Sequence, residues 1–190
     1  MPGDPIPSLD EPLERIAADG PPSRADSRQL LRNKALDLLA RREHSVAELH
    51  RKLHAYVDGG NRGRARGGAM RPRPDPESID EVLNDLQNEG LVSDARFTEA
   101  FVRYRANNGY GPQRIQAELR ERGVSEKMQA AYLDFGDPQW FERAMKARCK
   151  RFGEGNPKDF KERARQARFL QYRGFTTDQA REALDGDVAD

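Results

Sequence analysis

Apolar residues in this chain recur at three- and four-residue steps, in short bursts separated by glycine, proline or asparagine. Leu31, Ala35, Leu38 and Leu39 make the first stripe, widened by Leu36 and Ala40. Leu49 and Leu53 mark a second, and Val82, Leu83 and Leu86 a third. Phe97, Ala100, Phe101 and Tyr104 line a fourth, which ends at Asn107-Asn108-Gly109. Ile115 and Leu119 carry the next, closed by Gly123 and started by Pro112, whose missing N–H costs nothing at a first helical position. Farther on, Trp140, Ala144 and Ala147 predict a helix flanked by Phe141 and Phe152. Phe160, Ala164, Ala167 and Leu170 predict another. No stretch alternates apolar and polar residues as a half-buried strand would, so the fold class is all-α.

Helix starts are written in hydroxyl and acidic residues. Ser93 stands at an N-cap position. Ser45-Val46-Ala47-Glu48 and Ser78-Ile79-Asp80-Glu81 have the form of capping boxes, in which the hydroxyl accepts a first-turn N–H and the carboxylate reaches back. Asp137-Pro138 and Asn156-Pro157 each offer a cap followed by a first-position proline. Two segments repeat this grammar 51 residues apart, RGVSEKMQAAYL from Arg122 and RGFTTDQAREAL from Arg173. Each supplies a glycine C-cap, one apolar residue, a hydroxyl N-cap and a short helix ending in leucine. A period of roughly 50 residues is long for a two-helix repeat and suits three helices.

The chain therefore divides into three tandem three-helix repeats, 30–92, 93–136 and 137–185. Residues 1–29 form a proline-rich mobile arm, and 186–190 an acidic tail. A Gly/Arg-rich segment, 58–77, reads as a flexible loop within the first repeat.

Only 36% of residues are hydrophobic, 34% are charged, and mean hydropathy is −0.96. Such a chain suits small units with thin apolar seams in an elongated body rather than one thick core. Net charge is +1 but unevenly laid out: the arm and tail are acidic, and Arg143 to Arg173 is dense in Arg and Lys. The single cysteine, Cys149, allows no internal disulfide and no zinc framework. No run is long enough to span a bilayer, and the expected location is the cytoplasm.

Reactive chemistry is hard to find. The glycines at 59–60 and 67–68 lack the G-K-[ST] ending of a phosphate loop. His50 and His54 share a helical face but flank Arg51 and Lys52, which would repel a metal. Asp80, Glu81, Asp94 and Glu99 are accounted for by capping and first-turn dipole roles. No catalytic, cofactor or metal residue is assigned, and the chain is expected not to be an enzyme. The basic stretch is different. Arg143, Lys146, Arg148, Lys150, Arg151, Lys158, Lys161, Arg163, Arg165 and Arg168 interleave with Trp140, Phe141, Phe152, Phe160, Phe169 and Tyr172. Acidic neighbours offset part of this charge, and a positive ridge for phosphates or an acidic protein groove is favoured over a merely solvated face.

Three groups of residues resemble the RecX family, regulators of the recombinase RecA. They are Ala35–Ser45 with Glu48-Leu49 and Lys52-Leu53; Val82-Leu83, Leu86 and Gly90–Phe97; and Gly109, Gly111-Pro112, Arg114-Ile115, Glu118-Leu119 and Gly123-Val124. The resemblance covers about residues 30–185. It implies a curved, monomeric array that lies in the groove of the RecA nucleoprotein filament. It also implies inhibition of ATP hydrolysis, coprotease activity and strand exchange, hence a part in recombination, DNA repair and the SOS response. The arm and the loop at 58–77 depart from the family pattern. On this reading the contacts to RecA or DNA phosphates come from Arg103, Arg105, Arg114, Arg120 and Arg122 in the second unit. The third unit adds Arg143, Lys146, Lys150, Arg151, Lys158, Lys161, Arg165 and Arg168. Two alternatives stay open: a DNA-binding protein without sequence preference, and a helical adaptor for another protein.

Overall fold

A computed structural model describes residues 22–59 and 73–186. Most of the expected arm, most of the expected loop and nearly all of the acidic tail lie outside the described residues. Among the described residues there are nine helices and no strand. They are α1 (Arg24–Leu39), α2 (Val46–Gly59), α3 (Ser78–Asn88), α4 (Asp94–Asn107), α5 (Pro112–Glu121), α6 (Glu126–Tyr132), α7 (Gln139–Phe152), α8 (Phe160–Arg173) and α9 (Thr177–Asp185). Every substantial helix–helix packing falls within α1–α3, α4–α6 or α7–α9, so the fold is three tandem three-helix units.

Several predicted caps form as written. Ser93 Oγ accepts the N–H of Arg96, Ser125 Oγ that of Met128, and Thr176 and Gln179 complete a capping box. Others differ. Ser78 lies inside α3 with its buried Oγ unpartnered, because the turn at Asp75–Glu77 already starts the helix. Glu81 turns instead to Arg24 and Arg28. Ser45 accepts the N–H of Glu48 at 3.0 Å, but the Glu48 carboxylate is held by Arg42, so that box is half formed. α8 begins at Phe160 rather than Pro157, since Asp159 accepts from Glu162 N at 2.7 Å while Glu162 accepts from Lys158 N at 3.0 Å.

The first helix starts earlier than the apolar stripe indicates: residues 24–29, assigned to the arm, are helical. Ser23 caps α1, and Ser27, fully buried, accepts the N–H of Asp75 at 3.0 Å. Arg24, Arg28 and Arg32 then face Glu81 and Asp85 of α3 and its C-cap Glu89, four residues apart in both series. A ladder of ion pairs, invisible to a search for apolar periodicity, extends the helix. Two apolar assignments also fail. α4 buries Phe97, Thr98, Val102 and Ala106, leaving Tyr104 exposed, and Phe160 projects from the start of α8 at 86% exposure.

The first unit closes its own core around Leu31, Leu49, Leu53, Ile79 and Leu86. The second and third share one core, from Phe97 and Ile115 through Leu119 to Trp140, Leu170 and Phe175. Full burial of each such side chain contributes about 1.5–3 kcal/mol, so the last two units stand or fall together.

One joint is used twice. Between the first two units, Ser45 Oγ donates to Arg122 O at 2.6 Å and Arg51 to Glu121 O at 3.2 Å, while Val46 N–H donates to Asp94 Oδ1 at 2.9 Å. Between the last two, Gly111 N–H donates to Arg173 O at 2.9 Å and Gln113 N–H to Gly174 O at 3.0 Å. In each case the spent C-terminus of one unit's second helix meets the start of the preceding unit's second helix. The approach needs glycine. A Cβ on Gly174, at φ +90°, would sit 2.4 Å from Arg114 Cβ, and one on Gly123, at φ +76°, would sit 2.5 Å from Ala47 Cβ.

Gly90 has φ +69° but open space around it. Gly90→Ala is therefore expected to cost about 1–2 kcal/mol, the left-handed penalty alone. Gly174→Ala is expected to exceed that by roughly 2 kcal/mol or more, because backbone must shift. Chemical denaturation of both variants measures the difference. Beside the first joint, burial and the charge of Arg42 hold the His44 imidazole below its ordinary pKa of 6.5. Burial opposes ionisation of Glu48, yet the hydrogen bond and charge of Arg42 outweigh it and hold the carboxyl below 4.5. Both shifts have one sign: stability is full above the unfolded-state values and lost as pH falls. Denaturation midpoints are expected to decline as pH drops below 6.5, and less steeply in His44→Gln, over that first step.

Candidate functional site

The third unit presents its cations to a groove. Arg143, Lys146, Lys150 and Arg151 of α7 line a concavity of about 690 Å³, walled by the end of α4 and the turn after it (Ala106–Gly109) and by Phe169 and Arg173 of α8. Gly109, at φ +75°, turns the chain here, and a Cβ on it would meet Ala147 at 3.4 Å, ordinary contact distance. A second concavity of about 620 Å³ continues across Arg151, Phe152, Arg165, Arg168, Phe169 and Tyr172. The two adjoin at Arg151 and Phe169; together, here termed the channel, they are lined by seven cations and a single carboxylate, Glu142.

Most of these cations have no internal partner. Among the described residues, Lys146, Lys150, Arg151, Lys158, Lys161 and Arg168 have no carboxylate within ion-pair distance, and Arg165 reaches Glu162 only at 3.9 Å. Arg143 bonds the Gln139 amide at 3.1 Å and lies over Trp140. Lys158 and Lys161 are exposed at the start of α8, outside the two concavities.

The second-unit arginines are a different population. Arg105 pairs with Glu118, both side chains 17% exposed, and lies 3.6 Å from the Tyr110 ring centre. Arg114 bonds the same Glu118 at 3.2 Å, and that hydrogen bond, followed by the charge of Glu118, outweighs burial and raises its pKa further. Arg122 donates to Glu118 O and covers Phe101. These three hold the fold. Arg103 and Arg120 face outward, Arg120 with Glu126 at 3.9 Å, and neither lines the channel.

The basic ridge also loses two members. Arg148 is fully buried and ties α7 to the following loop through Gly155 O at 3.2 Å. Arg163 pairs with Asp185 at 2.5 Å. One residue is gained. Arg173 lines the channel, donates to Asn108 O at 3.2 Å, and lies over both Tyr110 and Phe169. Its signal was present in the repeat, where Arg173 aligns with Arg122. The result is an alternating stack, Phe169–Arg173–Tyr110–Arg114–Tyr172, across the joint between the last two units. Each contact contributes about 0.5–1 kcal/mol at a partly exposed site, and together they hold the channel wall.

No cluster of three His, Cys, Asp or Glu side chains suited to a metal occurs among the described residues. His50 and His54 contact each other, and His50 faces Asp80 at 3.3 Å. Cys149 is free and half-buried, with Arg148 Nη2 at 3.6 Å from its sulfur. No helix among the described residues is long and apolar enough to cross a membrane. What the channel offers is recognition of a polyanion: unsatisfied, water-exposed cations in a row beside aromatic rings.

The two arginine populations are separable by experiment. Lys150→Ala and Arg168→Ala are expected to leave thermal stability within about 0.5 kcal/mol of the parent while weakening retention on heparin. Arg105→Ala should do the reverse, lowering stability by about 1–3 kcal/mol through loss of its charge-assisted hydrogen bond to the largely buried Glu118 carboxylate, which then keeps Arg114 alone. Thermal denaturation and salt elution from heparin read both.

The family models for the second and third three-helix domains of RecX match residues 93–133 and 137–184. The chain is 44% identical over 155 residues to "Regulatory protein RecX" of Halorhodospira halophila, covering 82% of this chain and 86% of that one. The like-named protein of Ectopseudomonas mendocina is 43% identical over 162 residues, covering 85% and 97%. The crystal structure of RecX from Lactobacillus salivarius shares the fold at a TM-score of 0.65 and 20% identity, over 85% of this chain and 98% of that one. The chain belongs to the RecX family of regulatory proteins.

Proposed function

We propose that this protein is a non-enzymatic regulator of RecA that lies along the RecA–DNA filament with the third-unit channel facing it. Binding by occupancy slows ATP hydrolysis and limits coprotease activity and strand exchange. The observation that supports this most is the division of labour among cations: Lys146, Lys150, Arg151 and Arg168 of the channel have no carboxylate partner among the described residues, while Arg105, Arg114 and Arg122 are consumed within the fold. An array that displays a row of unpaired cations over two adjoining concavities suits a polymer better than a small substrate. Many weak contacts along a filament sum to strong, salt-sensitive avidity. The units 30–92, 93–136 and 137–185 would then span neighbouring protomers as one monomeric chain in the cytoplasm. Arg103 and Arg120, outward but away from the channel, supply contacts on the second unit.

Direct DNA binding without sequence preference is the second reading, favoured by the seven cations around one carboxylate. DNA-dependent ATP hydrolysis by the cognate RecA separates the two. Stoichiometric protein is expected to suppress turnover, and Lys146→Glu/Lys150→Glu is expected to relieve that suppression. Unchanged turnover at stoichiometric ratios, together with tight binding to naked DNA, would leave the second reading in its place.

A further inference from the structure

α8 carries a stripe that charge alone does not explain. Lys161, Arg165, Arg168 and Tyr172 follow one another at steps of four, three and four residues. At 100° per residue they fall within a sector of about 60°, running about 16 Å along the helix. Three cations are followed, on the same face, by an aromatic ring that is 79% exposed. Tyr104 and Phe160 are also exposed, but neither lines either concavity of the channel.

The Tyr172 ring has the Arg114 guanidinium on one side. Arg114 donates to its backbone carbonyl at 3.4 Å, and the same guanidinium lies 5.6 Å from the ring centre. Phe152 and Phe169, which share its concavity, pack edge-to-face at 5.3 Å and are partly buried. Tyr172 is thus the ring in the channel with an open face. The other side chains there are arginines and phenylalanines, with no amide or carboxylate placed to read base edges.

Resting on the proposal that the channel faces the RecA–DNA filament, we infer that Tyr172 is a stacking platform for an unpaired base of single-stranded DNA. Phosphates of that strand lie along Lys161, Arg165 and Arg168. A cationic track beside an aromatic face is how strands are held without regard to sequence. A duplex keeps its bases stacked on each other and cannot offer one to Tyr172, so the site distinguishes one strand from two.

The test is fluorescence anisotropy without RecA, using a labelled oligodeoxyadenylate, its abasic sugar–phosphate counterpart and a blunt-ended duplex of two annealed strands. The parent protein is expected to bind the base-bearing strand roughly tenfold more tightly than the abasic one. Tyr172→Ala should abolish that difference while keeping the salt dependence, and Tyr172→Trp should restore it. Arg165→Ala/Arg168→Ala should weaken all ligands together and flatten the salt dependence. An unchanged base preference in Tyr172→Ala overturns the assignment, as does equal parent affinity for the strand and the blunt-ended duplex. No binding to any of the three, with suppression of RecA turnover intact, also overturns it and gives the channel to a protein surface of the filament, leaving the regulatory function standing.

Discussion

The satisfaction of one helix end by another organises this molecule. A helix leaves carbonyls unpaired at its C-terminus and N–H groups unpaired at its N-terminus. Here the carbonyls of Arg173 and Gly174 take the N–H groups of Gly111 and Gln113, and those of Glu121 and Arg122 take Arg51 and Ser45. The partial charges are complementary, so each joint also aligns helix dipoles favourably. Because backbone meets backbone, the spacing tolerates no Cβ at Gly174 or Gly111. Orientation between units is set by hydrogen-bond geometry and close contact, rather than by a flexible linker.

That constraint places the channel. Its walls come from two units: the turn after α4 on one side, α7 and α8 on the other. Were the joint at Gly174 loosened, Arg173 would leave Asn108 and Tyr110, and the arginine–aromatic stack would open. The shared core of the second and third units serves the same end. The first unit, with its own core, is attached through Ser45, Arg51, Asp94 and the Gly123–Ala47 contact. At the far end, Asp159 and Glu162 cap α8 with their own side chains, so the helix start that is served by a neighbouring unit in α5 is self-sufficient in α8.

Arginine does two jobs here, and the difference lies in what stands opposite. Arg24, Arg28 and Arg32 on α1, and Arg105 and Arg114 around Glu118, complete the fold. Arg151 and Arg168 face water beside the channel. Chemically identical groups become structural or available according to whether a carboxylate lies within reach, which depends on residues distant in the chain, 57 apart for the α1–α3 ladder.

Helical class, the triple repeat and most helix ends were legible in the chain, because apolar spacing, Ser93, Pro112, Gly123 and the Thr176–Gln179 pair act over one or two turns. Local physics suffices there: a cap needs only its own first turn. The basic character of the third unit was equally plain from composition. Tertiary structure alone decided that α1 begins at Arg24, that Ser78 caps nothing, that Arg148 is buried, and that Arg173 belongs to the channel while Arg105 does not. The α1 start, Arg173 and Arg105 turn on partners brought from other helices, and Ser78 and Arg148 on a neighbouring turn and loop; local periodicity carries no record of any of these partners.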